Sequence, residues 1–214
     1  MFYALLFASY LIGSIPFGWL FARMRGVDLR KVGSGNIGAT NVFRAVGKGW
    51  GSLTLFLDAA KGWGPAVLFP LLLQGTATPH AGLAFGVAAI VGHTWPVYLR
   101  FRGGKGVATS AGVLLGLAPA AVGVGVLVFA ALLGLSRYVS LGSMGAAIAV
   151  PAAGWLFYRG QGLTLPSVLT LLGALIVWRH RTNLRRLMEG TEAKVSFSGG
   201  ERVTSMDGTK REEP

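Results

Sequence analysis

Six long apolar runs, Phe2–Ala22, Leu53–Leu73, Ala81–Leu99, Val107–Leu135, Val139–Phe157 and Leu163–Trp178, decide what this chain can fold into. Each approaches or exceeds the roughly 20 residues that cross a bilayer as a helix, and a backbone in lipid must satisfy its own hydrogen bonds. With 52% apolar and 13% charged residues, too little polar surface is available to cover a soluble domain of 214 residues. The expected fold is an all-α, polytopic integral membrane bundle.

The formal charge of +12 fits either nucleic-acid binding or cytoplasmic membrane flanks. Its distribution separates them, because the lysines and arginines lie in connectors between apolar runs and no zinc-finger, RNA-recognition or basic-zipper pattern is present. No nucleic-acid partner is therefore expected. Met1–Ala22 lacks a basic leading region and has Arg23 and Arg25 after its apolar run, so it reads as a retained span with its N-terminus outside. Arg23–Gly51 and Arg100–Lys105 are basic connectors and read as cytoplasmic, whereas Gln74–Pro79 is uncharged and reads as an outer loop.

Val107–Leu135 runs 29 residues without a charge. It is either one long tilted helix or two short ones broken near Pro119. A single crossing would put the Arg179–Arg186 basic cluster outside, and two crossings return it to the side of the other basic connectors. The second choice gives seven transmembrane segments and a cytoplasmic C-terminus. Residues 1–194 then form one membrane domain and residues 195–214 a polar, mobile cytoplasmic tail.

Before Glu189 the only acids are Asp28 and Asp58. That excludes paired-carboxylate chemistry, and three scattered histidines offer no metal-ligand spacing. No metal or cofactor is expected, and the absence of cysteine removes thiolate chemistry and disulfides. Gly33–Gly38 matches G-x-G-x-x-G but follows no strand. Gly103–Gly106 resembles part of a P-loop but lacks its Ser/Thr, and Ser198–Glu201 resembles a transport-ATPase signature without its domain. None is a nucleotide motif. Their physical content survives as glycine-rich backbone beside cations, which suits an anion.

Ser34–Arg44 (SGNIGATNVFR) concentrates such groups, with Arg44 able to hold a phosphate through two parallel hydrogen bonds. Asp58 and Lys61, three residues apart in the second span, read either as a structural ion pair or as part of a site. His93 divides similarly between a hydrogen-bonded structural role and ligand contact. Ser140 and Ser143 open a helix, where capping and ligand binding use the same free N–H groups.

Ser34–Arg44, Gly103–Thr109 (GGKGVAT), Ser140–Ser143 and His180-x-x-Asn183 followed by Glu189–Glu192 together resemble the bacterial PlsY family of acyl-phosphate-dependent glycerol-3-phosphate acyltransferases, over about residues 1–194. The resemblance implies acyl transfer from acyl phosphate to the 1-hydroxyl of sn-glycerol 3-phosphate, giving lysophosphatidic acid and phosphate at the cytoplasmic face of the bacterial inner membrane. It implies catalytic roles for Ser34, Lys105, His180 and Asn183. Substrate-binding roles fall to Gly35, Asn36, Gly38, Thr40, Asn41, Arg44, Lys61, His93, Gly103, Gly104, Ser140, Gly142, Ser143 and Glu192. In this expectation the Ser34 and Ser140 groups cradle the acyl-phosphate head, and Arg44, Lys105, His180 and Asn183 hold glycerol 3-phosphate. The acyl chain lies between the Gly- and Ala-rich spans.

His93, His180 and the substrate's own phosphate all remain candidates for the base. The phosphate is favoured because the sequence places no acid beside a histidine. The partners expected are the two substrates and the lipid bilayer, with no obligate protein. A transporter for phosphorylated solutes is the alternative class, set against the lack of any mid-membrane basic residue apart from Lys61.

Overall fold

The computed structural model describes residues 1–73 and 80–195, so the uncharged Gln74–Pro79 loop and the tail from residue 196 lie outside the described residues. Every regular element among the described residues is helical. The helices are α1 (Phe2–Ser14), α2 (Phe17–Met24), α3 (Ala39–Ala45), α4 (Lys48–Leu68), α5 (Ala81–Thr94), α6 (Val107–Leu117), α7 (Pro119–Ser136), α8 (Val139–Tyr158), α9 (Thr164–Arg179) and α10 (Arg181–Met188).

Proline sets the two principal breaks. Ile15 precedes Pro16 and is extended, at φ −60° and ψ 116°, which divides the first apolar run into α1 and α2. Pro119 starts α7 after Ala118 has left helical geometry, so the 29-residue run is two helices and not one. Five helical stretches are long and apolar enough to cross a membrane, and α6 and α9 are shorter apolar helices. The 11 residues of α6 rise only about 16 Å, about half of a hydrocarbon layer.

The basic connector from Arg23 to Gly51 is also more structured than its composition suggests. Its second half forms α3 and the first turn of α4, and the shell of Ala22, Leu29, Ile37, Val42 and Leu99 roots the intervening loop under α2 and α3.

Small residues let the helices meet backbone to backbone, as lipid-embedded helices must when no hydrophobic force draws them together. A Cβ on Gly112 would lie 1.9 Å from the Ala59 carbonyl oxygen, and one on Gly62 2.3 Å from that of Thr109. This reciprocal contact locks α6 to α4 and so locates the loop that enters α6. Ala66, Ile90, Val113, Leu114, Leu169 and Leu172 form a core joining α4, α5, α6 and α9, while α7 packs on α8. Gly112→Val is expected to lower the unfolding midpoint in detergent, at a cost of about 3 kcal/mol. Gly64→Ala, where nothing lies within 4 Å of the new Cβ, is expected to leave the midpoint unchanged or raise it.

Candidate active site

Four separated segments converge at one end of the bundle. Lys105, in the loop before α6, donates from Nζ to Asn183 Oδ1 on α10. Asn183 Nδ2 donates to Glu192 Oε1 at 2.7 Å, and Arg186 Nε donates to Glu192 Oε2 at 2.7 Å. Arg44, on α3, donates to the Ala193 carbonyl at 2.9 Å, and the Val195 N–H donates to the Arg137 carbonyl at 2.9 Å. Residues 191–195 therefore form a strap from α10 across to α3 and the entrance of α8.

The electrostatics follow from gathering cations at a partly buried place. Burial pushes the Lys105 ammonium down to about 8; Glu192 opposes the shift, and Arg186, Arg179 and Arg44 add to it. Burial would raise the Glu192 carboxyl, yet hydrogen bonds from Asn183 and Arg186 hold it below its ordinary value. Ser140, buried at the start of α8, also favours the ionised Glu192, although its hydroxyl makes no hydrogen bond of regular geometry.

His180 Nδ1 lies 2.8 Å from the Ile176 carbonyl, which can only accept, so the proton sits on Nδ1 and Nε2 keeps its lone pair. Burial and the Lys105 charge lower His180 to about 4, leaving it neutral near pH 7.

The first motif is built differently. Asn41, 1% exposed, accepts the Ser34 N–H at Oδ1 (3.0 Å), and its Nδ2 donates to the Leu29 and Val32 carbonyls, both at 3.1 Å. Both N–H groups of that amide are taken, so Asn41 shapes the loop and has no donor left for a ligand. Ser34 Oγ faces the Asn36 N–H at 3.4 Å, Gly35 sits in the turn with φ +71°, and Gly38 leads into α3, whose first turn holds Thr40.

Gly142 is turned against Phe129 of α7, with its N–H given to the Tyr138 carbonyl at 3.2 Å, so it presents no free donor. Ser143 returns its hydroxyl to the Val139 carbonyl at 2.9 Å and lines a cavity of about 130 Å³ between α6, α7, α8 and α9. That cavity is otherwise apolar apart from Ser110, and it runs from Val107, two residues after Lys105, past Leu114, Phe129 and Leu169 to Ile176, four residues before His180.

Lys61 and His93 form a second polar group, which meets the cluster at Gly104. Lys61 Nζ pairs with Asp58 Oδ1 at 2.7 Å, and His93 Nδ1 is 3.7 Å from the same oxygen. An acid does therefore stand beside a histidine. The sequence conceals it because 35 residues separate Asp58 from His93, which meet only when α4 packs on α5.

Two further arginines belong to the site. Arg179 donates to the carbonyls of Gly103 (3.1 Å) and Gly104 (2.9 Å), and Arg186 holds Glu192. The signal for Arg186 was its spacing, since His180, Asn183 and Arg186 recur every three residues along one face of a helix.

The Glycerol-3-phosphate acyltransferase family model matches residues 3–190. A glycerol-3-phosphate acyltransferase of Rubrobacter xylanophilus is 47% identical over 201 residues, covering 92% of this chain and 96% of the relative. One from Desulforudis audaxviator is 46% identical over 190 residues, covering 88% and 93%. The chain belongs to the glycerol-3-phosphate acyltransferase family. A crystal structure of PlsY, an integral membrane glycerol 3-phosphate acyltransferase, in its glycerol 3-phosphate form superposes with a TM-score of 0.83 at 39% identity, covering 91% of this chain and 96% of that one. Its lysophosphatidic acid form gives 0.80 at 38% identity, covering 91% and 95%. This member of the acyltransferase family thus shares that integral membrane fold.

Replacing Asn41 with Asp keeps the shape but sets a carboxylate oxygen against two carbonyls. Asn41→Asp is expected to cost about 1–3 kcal/mol and to speed amide hydrogen exchange across residues 30–38. Exchange there at the wild-type rate would show that Asn41 does not hold the loop.

Proposed function

We propose that the chain transfers a fatty acyl group from acyl phosphate to the 1-hydroxyl of sn-glycerol 3-phosphate, releasing lysophosphatidic acid and phosphate, at the cytoplasmic face of the bacterial inner membrane. The observation that carries this reading is the convergence of Arg44, Lys105 and Asn183 beside the mouth of an apolar cavity of about 130 Å³. Phosphates and an acyl chain need these two environments side by side. Seven membrane segments, with α6 and α7 both crossing, put every connector that carries more than one Lys or Arg on one side and leave Arg159 alone on the other, which supports the cytoplasmic assignment.

The chemistry asks little of a nucleophile. An acyl phosphate is a mixed anhydride with a good leaving group, so the acceptor hydroxyl attacks the carbonyl directly and the C–O bond to phosphate breaks. Arg44 and Lys105 hold the phosphate of glycerol 3-phosphate, with Asn183 orienting Lys105. Ser34, Asn36 and the backbone at Gly35 and Gly38 face the donor phosphate together with Ser140. The acyl chain follows Ser143 into the cavity between α6 and α9. Each donor aimed at the developing oxyanion contributes on the order of 3 kcal/mol.

The hydroxyl proton goes to phosphate. A phosphate monoester has its second pKa near 6 and is a better base at pH 7 than His180 at about 4, whose free Nε2 is suited to accepting and orienting the hydroxyl.

Purified protein in detergent, given acyl phosphate and glycerol 3-phosphate, is expected to release phosphate and form lysophosphatidic acid in equal amounts; intact donor with no release defeats the reading. Because Lys105 is cationic below about 8 and neutral above, kcat/KM for glycerol 3-phosphate is expected to fall as pH rises through about 8. Lys105→Arg moves that limb upward. Arg44→Ala is expected to raise KM for glycerol 3-phosphate about tenfold to a hundredfold, the equivalent of one charged hydrogen bond.

A further inference from the structure

Asp58, Lys61 and His93 are buried inside the membrane part of the protein, where ionisable groups are costly, and they face one another rather than Asn183 or Glu192. Their contacts form a chain of their own. Lys61 Nζ donates at 2.7 Å to the Ile15 carbonyl at the α1–α2 break, where Pro16 interrupts the helix, and pairs with Asp58. Asp58 lies 3.7 Å from His93 Nδ1. On its far side the imidazole presses on Gly104, where a Cβ would lie 2.2 Å from His93 Nε2.

Gly104 is held from every direction. Its N–H donates to the His93 carbonyl at 3.1 Å and the Gly103 N–H to the Thr94 carbonyl at 3.2 Å, while both glycine carbonyls accept from Arg179. The next residue is Lys105.

We propose that Asp58, Lys61 and His93 are positioning residues for Lys105: they form a buried abutment, anchored to the break in the first span, that holds the Gly103–Gly104 turn and thereby aims the ammonium at Asn183 and the substrate phosphate. The inference rests on the acyltransferase reading. Chemistry explains the choice of groups. A rigid imidazole facing a carboxylate fills the space that Gly104 leaves empty, and Lys61 neutralises that carboxylate while bonding the Ile15 carbonyl at the helix break. A residue larger than glycine at 104 cannot enter without displacing the ring.

A double-mutant cycle tests whether these residues act through Lys105. His93→Gln in the wild-type background is expected to raise KM for glycerol 3-phosphate about tenfold or more, with a smaller change in kcat. In a Lys105→Ala background the same substitution is expected to cost less than about threefold. Should His93→Gln fail to purify as monodisperse protein, Asp58→Asn, of nearly the same shape, takes its place. Should Lys105→Ala show no turnover, the alkaline limb of kcat/KM in the single variant decides, and displacement from about 8 supports the proposal. Independent, multiplicative effects, or an unmoved limb, overturn the positioning role. An inactive wild-type protein in the same assay defeats the acyltransferase reading instead, so the two failures are distinguishable.

Discussion

Gathering Arg44, Lys105, Arg179 and Arg186 at one end of a helical bundle is unfavourable until something opposes their repulsion, and within the described residues the carboxylate of Glu192 does so most directly. It accepts from Asn183 and Arg186 and moderates the field at Lys105 and Arg44. Through Asn183 it also connects the loop before α6 to the last helix, and through Ala193 the strap reaches α3. Without that carboxylate the cations would stand unpaired at the membrane edge. With it they stand preassembled, which is what a site for phosphates requires if little reorganisation is to accompany binding.

Below this charged layer the packing is as close as backbones allow. The α4–α6 contact through Gly62 and Gly112 leaves the α6 entrance little freedom, and the Asp58–His93 abutment acts on the same loop from the α4–α5 side. The division of labour is physical. Apolar helices with small residues supply rigidity, a few buried polar groups supply direction, and the connectors supply charge.

Much of this was legible in the sequence. The apolar runs gave the helices, Pro119 marked the division of the 29-residue run, and glycine-rich connectors beside lone cations marked segments that converge at one end of the bundle. What was hidden depended on contacts between distant residues. Asp58 and His93 meet across two helices, and Arg179 reads as one more basic flank until its guanidinium is seen on the Gly103 and Gly104 carbonyls. Equally hidden is that the amide donors of Asn41 and the N–H of Gly142 are taken by neighbours in the fold. The chain carries no cysteine and places few acids in the membrane part, so charge and orientation, rather than a strong nucleophile, are what it has to offer.

The central claim is therefore that the acyl group passes directly from donor to acceptor, with no acyl-protein intermediate. Exchange of isotopically labelled inorganic phosphate into acyl phosphate, followed with purified protein in the absence of glycerol 3-phosphate, tests this most directly. Direct transfer predicts no incorporation of label until the acceptor is supplied. Label entering the donor pool without the acceptor would mean that the protein itself takes up the acyl group, and would contradict the account.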